Sequence, residues 1–280
     1  IEEKYYKNLG FGANSGVEVF DSYTEFGQYM NKEYANMVES VEKYGGFYVG
    51  RYETSLEGTA GNKDAIAQSK IAKTPINNQN WYKDYYYQDS KINAKNPYYN
   101  SKSVTSSMIW GSQWDAIMNW MLEDEKTKEY ITEIRGNHTD AVAITGSYSD
   151  DLAKNIFDLS SNVAEYTQQG ENNYRRFIRG GVAGNINTER GRYTASNYNV
   201  YWSPPTTTTI PYTKNSLNLD VSGNFLGTRM VLYINKGTDD NTEPTIEIES
   251  TEKGTNNIKV KVNAIDNESG IEKYKFYIND

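Results

Sequence analysis

Residues 155–167 read NIFDLSSNVAEYT, residues 175–181 read RRFIRGG, and the architecture of the chain turns on these two stretches. The first predicts a strand running from Phe157 to Thr167 around a polar loop, FDLSSNVAEY; the second predicts a strand over 176–182, and a third follows over 227–234. Towards the N-terminus, SSMIWGSQWDAIMNWM at 106–121 opens a run in which Trp114, Ile117, Met118, Met121 and Leu122 recur at three- and four-residue steps. That spacing predicts a helix beginning at Ser112, where Ser112 and Asp115 resemble a capping box, and closing on the solvated Glu123, Asp124 and Glu125. Further back, MNKEYANMVESVEKYGG at 30–46 sets Tyr34, Met37, Val38, Val41 and Tyr44 on one helical face, with Gly45 and Gly46 as the stop. FYVGRYETS at 47–55 reads as an aromatic-rich strand.

Other regions are less regular. Residues 1–29 show no sustained period and read as loop or partial strand, while 56–105, with NNQNWYKDYYYQDS and KNPYYNSKS, read as long surface loops or short helical pieces. Residues 126–154 are polar and stay unplaced. After GTDDNTEP at 237–244 the pattern becomes strict alternation, in TIEIE at 245–249, IKVKVNA at 258–264 and YKFYI at 274–278. Three such strands begin a β-sandwich, whose immunoglobulin-like form needs about seven strands and roughly 100 residues, so the chain is expected to be a fragment of something longer. The expected organisation is one domain over 1–236, a linker over 237–244 and a partial immunoglobulin-like domain over 245–280.

Composition narrows the chemistry. The 280 residues include no cysteine and a single histidine, which excludes disulfides, thiolate metal sites, cysteine nucleophiles and multi-histidine sites. A net charge of −8 argues against a phosphate-tracking nucleic-acid partner. Mean hydropathy is −0.80, no apolar run nears the roughly 20 residues of a membrane span, and IEEKYYKNLG lacks the order of a signal peptide, so a soluble chain is expected. Tyrosine (25) and asparagine (31) together make up 56 of 280 residues. For the composition as a whole the codon bias of an AT-rich genome accounts for that excess, and a binding surface, to which Tyr supplies rigid contact area and Asn adaptable hydrogen bonds, is the reading kept for local clusters.

Taken in order, GGFYVGRYETS (45–55), SSMIWGSQWDAIMNWM (106–121), NIFDLSSNVAEYT with RRFIRGG, and LGTRMVL (226–232) resemble the signature segments of the formylglycine-generating enzyme, or sulfatase-modifying factor, family. They match its Gly-x-x-Glu step, W-x-x-A helix, D-L-x-G-N-V-x-E-W loop, R-G-G strand and closing G-x-R strand. The resemblance implies an α+β fold, an elaborated C-type lectin-like domain. The tail, with AIDNESGI at 264–271, is similar to bacterial immunoglobulin-like repeats, which implies a secreted or cell-surface protein of a bacterium.

The family's oxidation uses two copper-binding cysteines after the R-G-G strand; an ungapped register puts Asn185 and Arg190 there, and neither offers the sulfur a monovalent copper site needs. No copper is expected. Nor does the three-histidine iron site of the related sulfoxide-forming branch have its ligands, since His138 stands alone and reads as a surface loop position. GFGANSG, near the start, has the wrong glycine spacing for a dinucleotide loop. The acidic pairs Glu2–Glu3, Asp150–Asp151 and Asp239–Asp240 read as solvated charge. No catalytic residue is assigned.

Residue-by-residue transfer from the family implies a calcium site made by Asp158, the carbonyls of Ser161 and Val163, and Glu165, hard oxygen donors of the kind calcium takes. Ser161 replaces the usual glycine and Ala164 the usual tryptophan. The alternative is that Asp158 and Glu165 brace the turn without metal. YTASNYNVYW at 193–202 falls where the C-type lectin fold presents its ligand-facing surface, and Tyr193, Asn197, Tyr198, Asn199, Tyr201 and Trp202 suit a sugar ring or a protein epitope. The expected function is therefore a non-catalytic extracellular module that binds a glycan or protein ligand. A sulfatase-modifying enzyme and a structural surface or pilus-associated scaffold are the alternatives.

Overall fold

The structure, a computed structural model, describes residues 23–60, 62, 64–93, 95–98, 103–128, 136–137, 139, 141–160, 162–172, 175–180, 182–183, 215–218, 224–235, 245–255 and 257–265. Helices and strands are both present and the fold is α+β. Helix α1 (Tyr23–Tyr44) leads into β1 (Tyr48–Val49), β2 (Thr54–Glu57) and β3 (Ile66–Ser69). After α2 (Trp81–Gln88), β4 (Val104–Met108) and α3 (Gly111–Leu122) come the short pair β5 (Leu152–Ala153) and β6 (Ile156–Phe157). Strands β7 (Ala164–Asn172), β8 (Arg175–Arg179), β9 (Asn215–Asn218), β10 (Leu226–Thr228) and β11 (Met230–Ile234) follow, and then β12 (Thr245–Lys253) and β13 (Ile258–Ile265).

Two sheets carry the core. In one, β11 is the middle strand, antiparallel to both β1 and β4, with Val231 opposite Val49 on one side and Ser107 on the other. In the other the order is β10-β7-β8-β9, and the β10–β7 pair is parallel, setting Gly227 opposite Glu165. β10 and β11 are separated by Arg229 alone, so one residue passes the chain from sheet to sheet.

Helix α1 starts earlier than its periodicity predicts, correcting the loop reading for residues 23–29. Its buried stripe is Phe26, Met30, Glu33 and Met37, spaced for one face, whereas the expected inward residues Tyr34 and Tyr44 are exposed. Gly45 ends the helix with φ +80° and donates its N–H to the Val41 carbonyl at 2.9 Å, as the two glycines predict. Helix α2 corrects the surface reading of NNQNWYKDYYYQDS: seven of its eight residues are buried, Asn80 caps it by accepting from the Lys83 N–H, and Trp81 stacks on Tyr85 at 4.6 Å. Helix α3 buries Trp114, Ile117, Met118 and Met121 as the spacing predicts. Its cap is Trp110, however, whose backbone N–H is taken by the Gln113 side chain at 2.9 Å; Ser112 lies inside the helix and Asp115 turns to Arg179 instead.

The strand expected over 47–55 is broken into β1 and β2, and that over 157–167 becomes a structured turn ahead of β7. Gly180, the first glycine of RRFIRGG, sits at φ +75°, and a Cβ there would come within 2.8 Å of the Leu159 carbonyl. Both the backbone conformation and the close packing require glycine. β12 and β13 form an antiparallel ribbon with exposed isoleucines at 246, 248 and 258, so the first two alternating strands of the tail are present; 274–278 lies outside the described residues.

Candidate functional site

Three of the sequence motifs, 45–55, 155–167 and 226–232, converge on one buried polar centre. Glu53, Asp151, Asp158, Glu165 and Arg229 are each no more than 2% exposed. The step from β10 to β11 delivers Arg229 inward, and the parallel β10–β7 pairing sets Glu165 beside it. Arg229 Nε donates to both Glu165 oxygens, at 3.0 and 3.1 Å, and Nη2 donates to Oε1 at 2.6 Å. Nη1 donates to the Gly50 carbonyl and Nη2 also donates to the Phe157 carbonyl, both at 2.8 Å. Such a satisfied fork is what a buried guanidinium needs.

The turn at 158–163 is shaped by residues that tolerate left-handed backbone: Asp158 has φ +60° and Asn162 φ +73°. Asn162 uses its whole amide. Its Oδ1 accepts from Asn137 Nδ2 and the Ala143 N–H, and its Nδ2 donates to Glu53 Oε2 at 2.6 Å and to the Ala143 carbonyl. Glu53 Oε1 accepts the Val163 N–H at 2.9 Å. Asp158 Oδ2 accepts the Gly146 N–H at 2.7 Å, and Asp151 Oδ1 accepts from Ser160 Oγ at 2.8 Å. Glu53, Asn162 and Arg229 carry this centre although the sequence reading gave them no site role. The signal was present, because Glu53 is the acid of the Gly-x-x-Glu step and Arg229 the arginine of the closing G-x-R strand.

One fixed cation faces four carboxylates. Burial, then Asp158 and Glu165, push Glu53 well above its ordinary range, against the pull of Arg229 and the Val163 N–H. Asp158 is raised to about 6 by burial, with the Gly146 N–H opposing. Burial raises Glu165 to about 7 while Arg229 draws it down; burial also works against the Arg229 charge, but Glu165, Glu53 and Asp158 together hold that guanidinium above its usual value. The two partners thus pull in opposite directions. Three hydrogen bonds between them favour the ion pair, leaving Glu53 and Asp158 as the groups that take up protons.

A pH dependence follows. The folded Asp158 holds its proton to about pH 6 and the unfolded one only to about 3.8, so this stabilisation is complete below about pH 4 and is lost as pH rises through 6. A displacement of that size corresponds to at most about 3 kcal/mol. Urea denaturation is expected to give a midpoint that falls between pH 4.5 and 7 in the native chain and falls less in Asp158→Asn; equal slopes in the two proteins would remove Asp158 as the cause.

The expected calcium ligands are placed in part. Ser161 lies outside the described residues, and the Val163 N–H serves Glu53. Glu165 has both oxygens on Arg229, so a calcium ion using that carboxylate would displace a buried guanidinium and stand beside its charge. Among the described residues no group of three or more His, Asp or Glu is arranged to hold a metal. The expected ligand residues Tyr193, Asn197, Tyr198, Asn199, Tyr201 and Trp202 lie outside the described residues, as do His138, Asn185 and Arg190.

A cavity of about 390 Å³ opens elsewhere, where α1, the start of α3, and β7 and β8 meet. Tyr34 and Trp110 meet there edge to face, 5.0 Å between centroids, with Tyr34 exposed and Trp110 buried. Gln168 and Gln169 enter from β7, and Arg176 enters from β8. The Arg176 guanidinium lies over the rings of Phe26 and Trp81, 4.9 and 5.2 Å from their centres, and burial lowers its pKa to about 10. This volume falls at the small end of the roughly 300–1,000 Å³ usual for ligand pockets.

No family model matches the chain, and no curated protein matches it. Among solved structures, a chain described as the crystal structure of CarF aligns with 76% of this chain and 84% of its own, at 12% identity and a TM-score of 0.35. A likeness at that level carries no argument about fold or function. No described helix is long and apolar enough to cross a membrane.

Proposed function

We propose that this chain is a ligand-binding module rather than an oxidase, an elaborated C-type lectin-like domain of the formylglycine-generating enzyme type followed by the start of an immunoglobulin-like spacer. In this reading it is displayed outside a bacterial cell and takes a glycan or protein ligand. The observation that carries the proposal is the cavity beside α1, lined by an aromatic pair, side-chain amides and one guanidinium. Such a lining suits ligand recognition, and among the described residues it brings together no nucleophile and base. The absence of cysteine from the whole sequence points the same way, since the oxidation of the family it resembles depends on two thiolates. The 193–202 face belongs to the proposal as a second contact region.

A glycan and peptide screen, run once with calcium and once with chelator, tests this reading. The expected result is a set of hits weakened about tenfold or more by Tyr34→Ala, as aromatic contact residues show, with little change in melting temperature because Tyr34 is 40% exposed. A screen without hits, or hits indifferent to both Tyr34→Ala and Tyr198→Ala, would refute it.

A further inference from the structure

Asp84, in helix α2, is 0% exposed, and neither of its carboxyl oxygens has a hydrogen-bond partner among the described residues. The other buried acids differ. Glu53, Asp158 and Glu165 accept from the Val163 N–H, the Gly146 N–H and Arg229, and Asp89, just beyond the helix, accepts from the Lys91 N–H at 2.8 Å and from Ser107 Oγ at 3.0 Å. A carboxylate taken out of water without a partner is among the costliest groups a fold can contain, and such a group keeps its proton instead.

The elements around α2 bring Asp84 no counter-charge. Strands β3 and β4, which pack against the helix, read IAQS and VTSSM and carry no acid, base or tyrosine. Glu33 of α1 is paired with Lys91, and the Arg176 guanidinium of β8, which lies over Phe26 and Trp81, is acted on by Tyr82 and Tyr85. Burial holds Asp84 well above its ordinary value of 3.8, and the one charge that pulls it down is Lys83, its neighbour in the chain. A helix of eight residues has no stability of its own in water, so α2 persists because seven of them are buried. That same burial is what an Asp84 charge opposes.

We infer that α2 is a pH-sensitive catch, packed while Asp84 is neutral and released to water when Asp84 ionises. What the helix backs is one wall of the cavity beside α1. The Trp81 Nε1–H donates to the carbonyl of Thr167, the residue before Gln168, and the Trp81 ring lies under Arg176; Gln168 and Arg176 both line that cavity. The inference concerns the helix and does not depend on what the cavity binds. Its direction follows from linkage: the packed helix holds the Asp84 proton more tightly than the released one, where the carboxyl titrates near 3.8. Packing is therefore at full strength below about pH 4 and weakens as pH rises through the raised value of the folded state. Across that span one proton makes the released fraction grow by up to about tenfold per pH unit.

Hydrogen exchange of the full chain, read by mass spectrometry from about pH 5 to about pH 8, tests this. After correction for the intrinsic rise of exchange with pH, the α2 amides of the native chain should lose protection as pH rises, by up to about tenfold per unit. They should also exchange faster than those of α3 throughout, the mark of a local opening. Asp84→Asn, which keeps the shape and removes the charge, should flatten the pH dependence of α2 by up to about tenfold per unit whatever it does to overall stability. Where Asp84→Asn does not fold, Asp84→Leu takes its place, and the native comparison of α2 with α3 needs neither. No excess loss of protection in the native chain, equal pH slopes in native and variant, or an α2 as well protected as α3 each overturns the inference.

Discussion

Replacing Arg229 with alanine is expected to cost about 3–5 kcal/mol of stability at pH 7.5, because it leaves buried carboxylates without the guanidinium paired with Glu165. Arg229 and Glu165 are 0% and 1% exposed at the side chain, so water cannot substitute for the lost fork. The loss should shrink at pH 5. With the guanidinium gone, Glu165 and Glu53 lose an interaction that draws their protonation down, and the folded variant takes up protons that relieve the repulsion. Chemical denaturation of the variant at the two pH values measures this. A loss under about 1 kcal/mol, the scale of an exposed ion pair, or a loss independent of pH, would show that the centre is not held by Arg229. The double variant Arg229→Met with Glu165→Leu should be less damaged than Arg229→Ala, since an apolar pair of similar shape removes both charges together.

The second large effect belongs to Trp114. Its ring is fully buried in the cluster formed by α3 with Ile156, Leu159 and Val231, and it packs under the backbone at Gly180. Trp114→Ala should destabilise by about 3–5 kcal/mol, from lost burial and the cavity left behind. Trp114→Phe should cost about half as much. Because α3 also supplies the rim of the cavity, the alanine variant should lose ligand affinity together with its melting temperature, unlike Tyr34→Ala, which should separate the two. Retention of the native melting temperature in Trp114→Ala would contradict the packing.

These two residues also mark the limit of what the sequence discloses. Helix α3 was legible because its buried face is apolar at every step, and a period of 3.6 needs only local spacing to be seen. The inward face of α1 was misread because of an acid in the buried stripe: Glu33 is 4% exposed and paired with Lys91, so an inward position looks outward on paper. The burial of helix α2, a short helical piece as one of the two readings had it, was hidden by tyrosines and an aspartate that read as polar, yet Trp81 stacks on Tyr85 and the Trp81 N–H reaches the Thr167 carbonyl at 3.0 Å. At the buried centre, Asp158 and Glu165 were legible as oxygen donors. That Glu165 is answered by a guanidinium 64 residues later depends on the parallel β10–β7 pairing, a non-local fact that no window of sequence contains.

The placement of β11 has a consequence in time. It is the middle strand of its sheet, lying between strands made more than a hundred residues earlier, and the residue before it carries the guanidinium on which the buried carboxylates depend. A growing chain that has already synthesised β1, β4 and β7 therefore holds three strand edges waiting for β10 and β11, and a buried acidic centre without Arg229, until that segment emerges. Such long-range closure is slow, and the waiting chain is exposed to wrong partners. Folding during synthesis would then be gated by the arrival of one short segment near residue 230, before which the sheet built on β1 and β4 and the buried acidic centre cannot close.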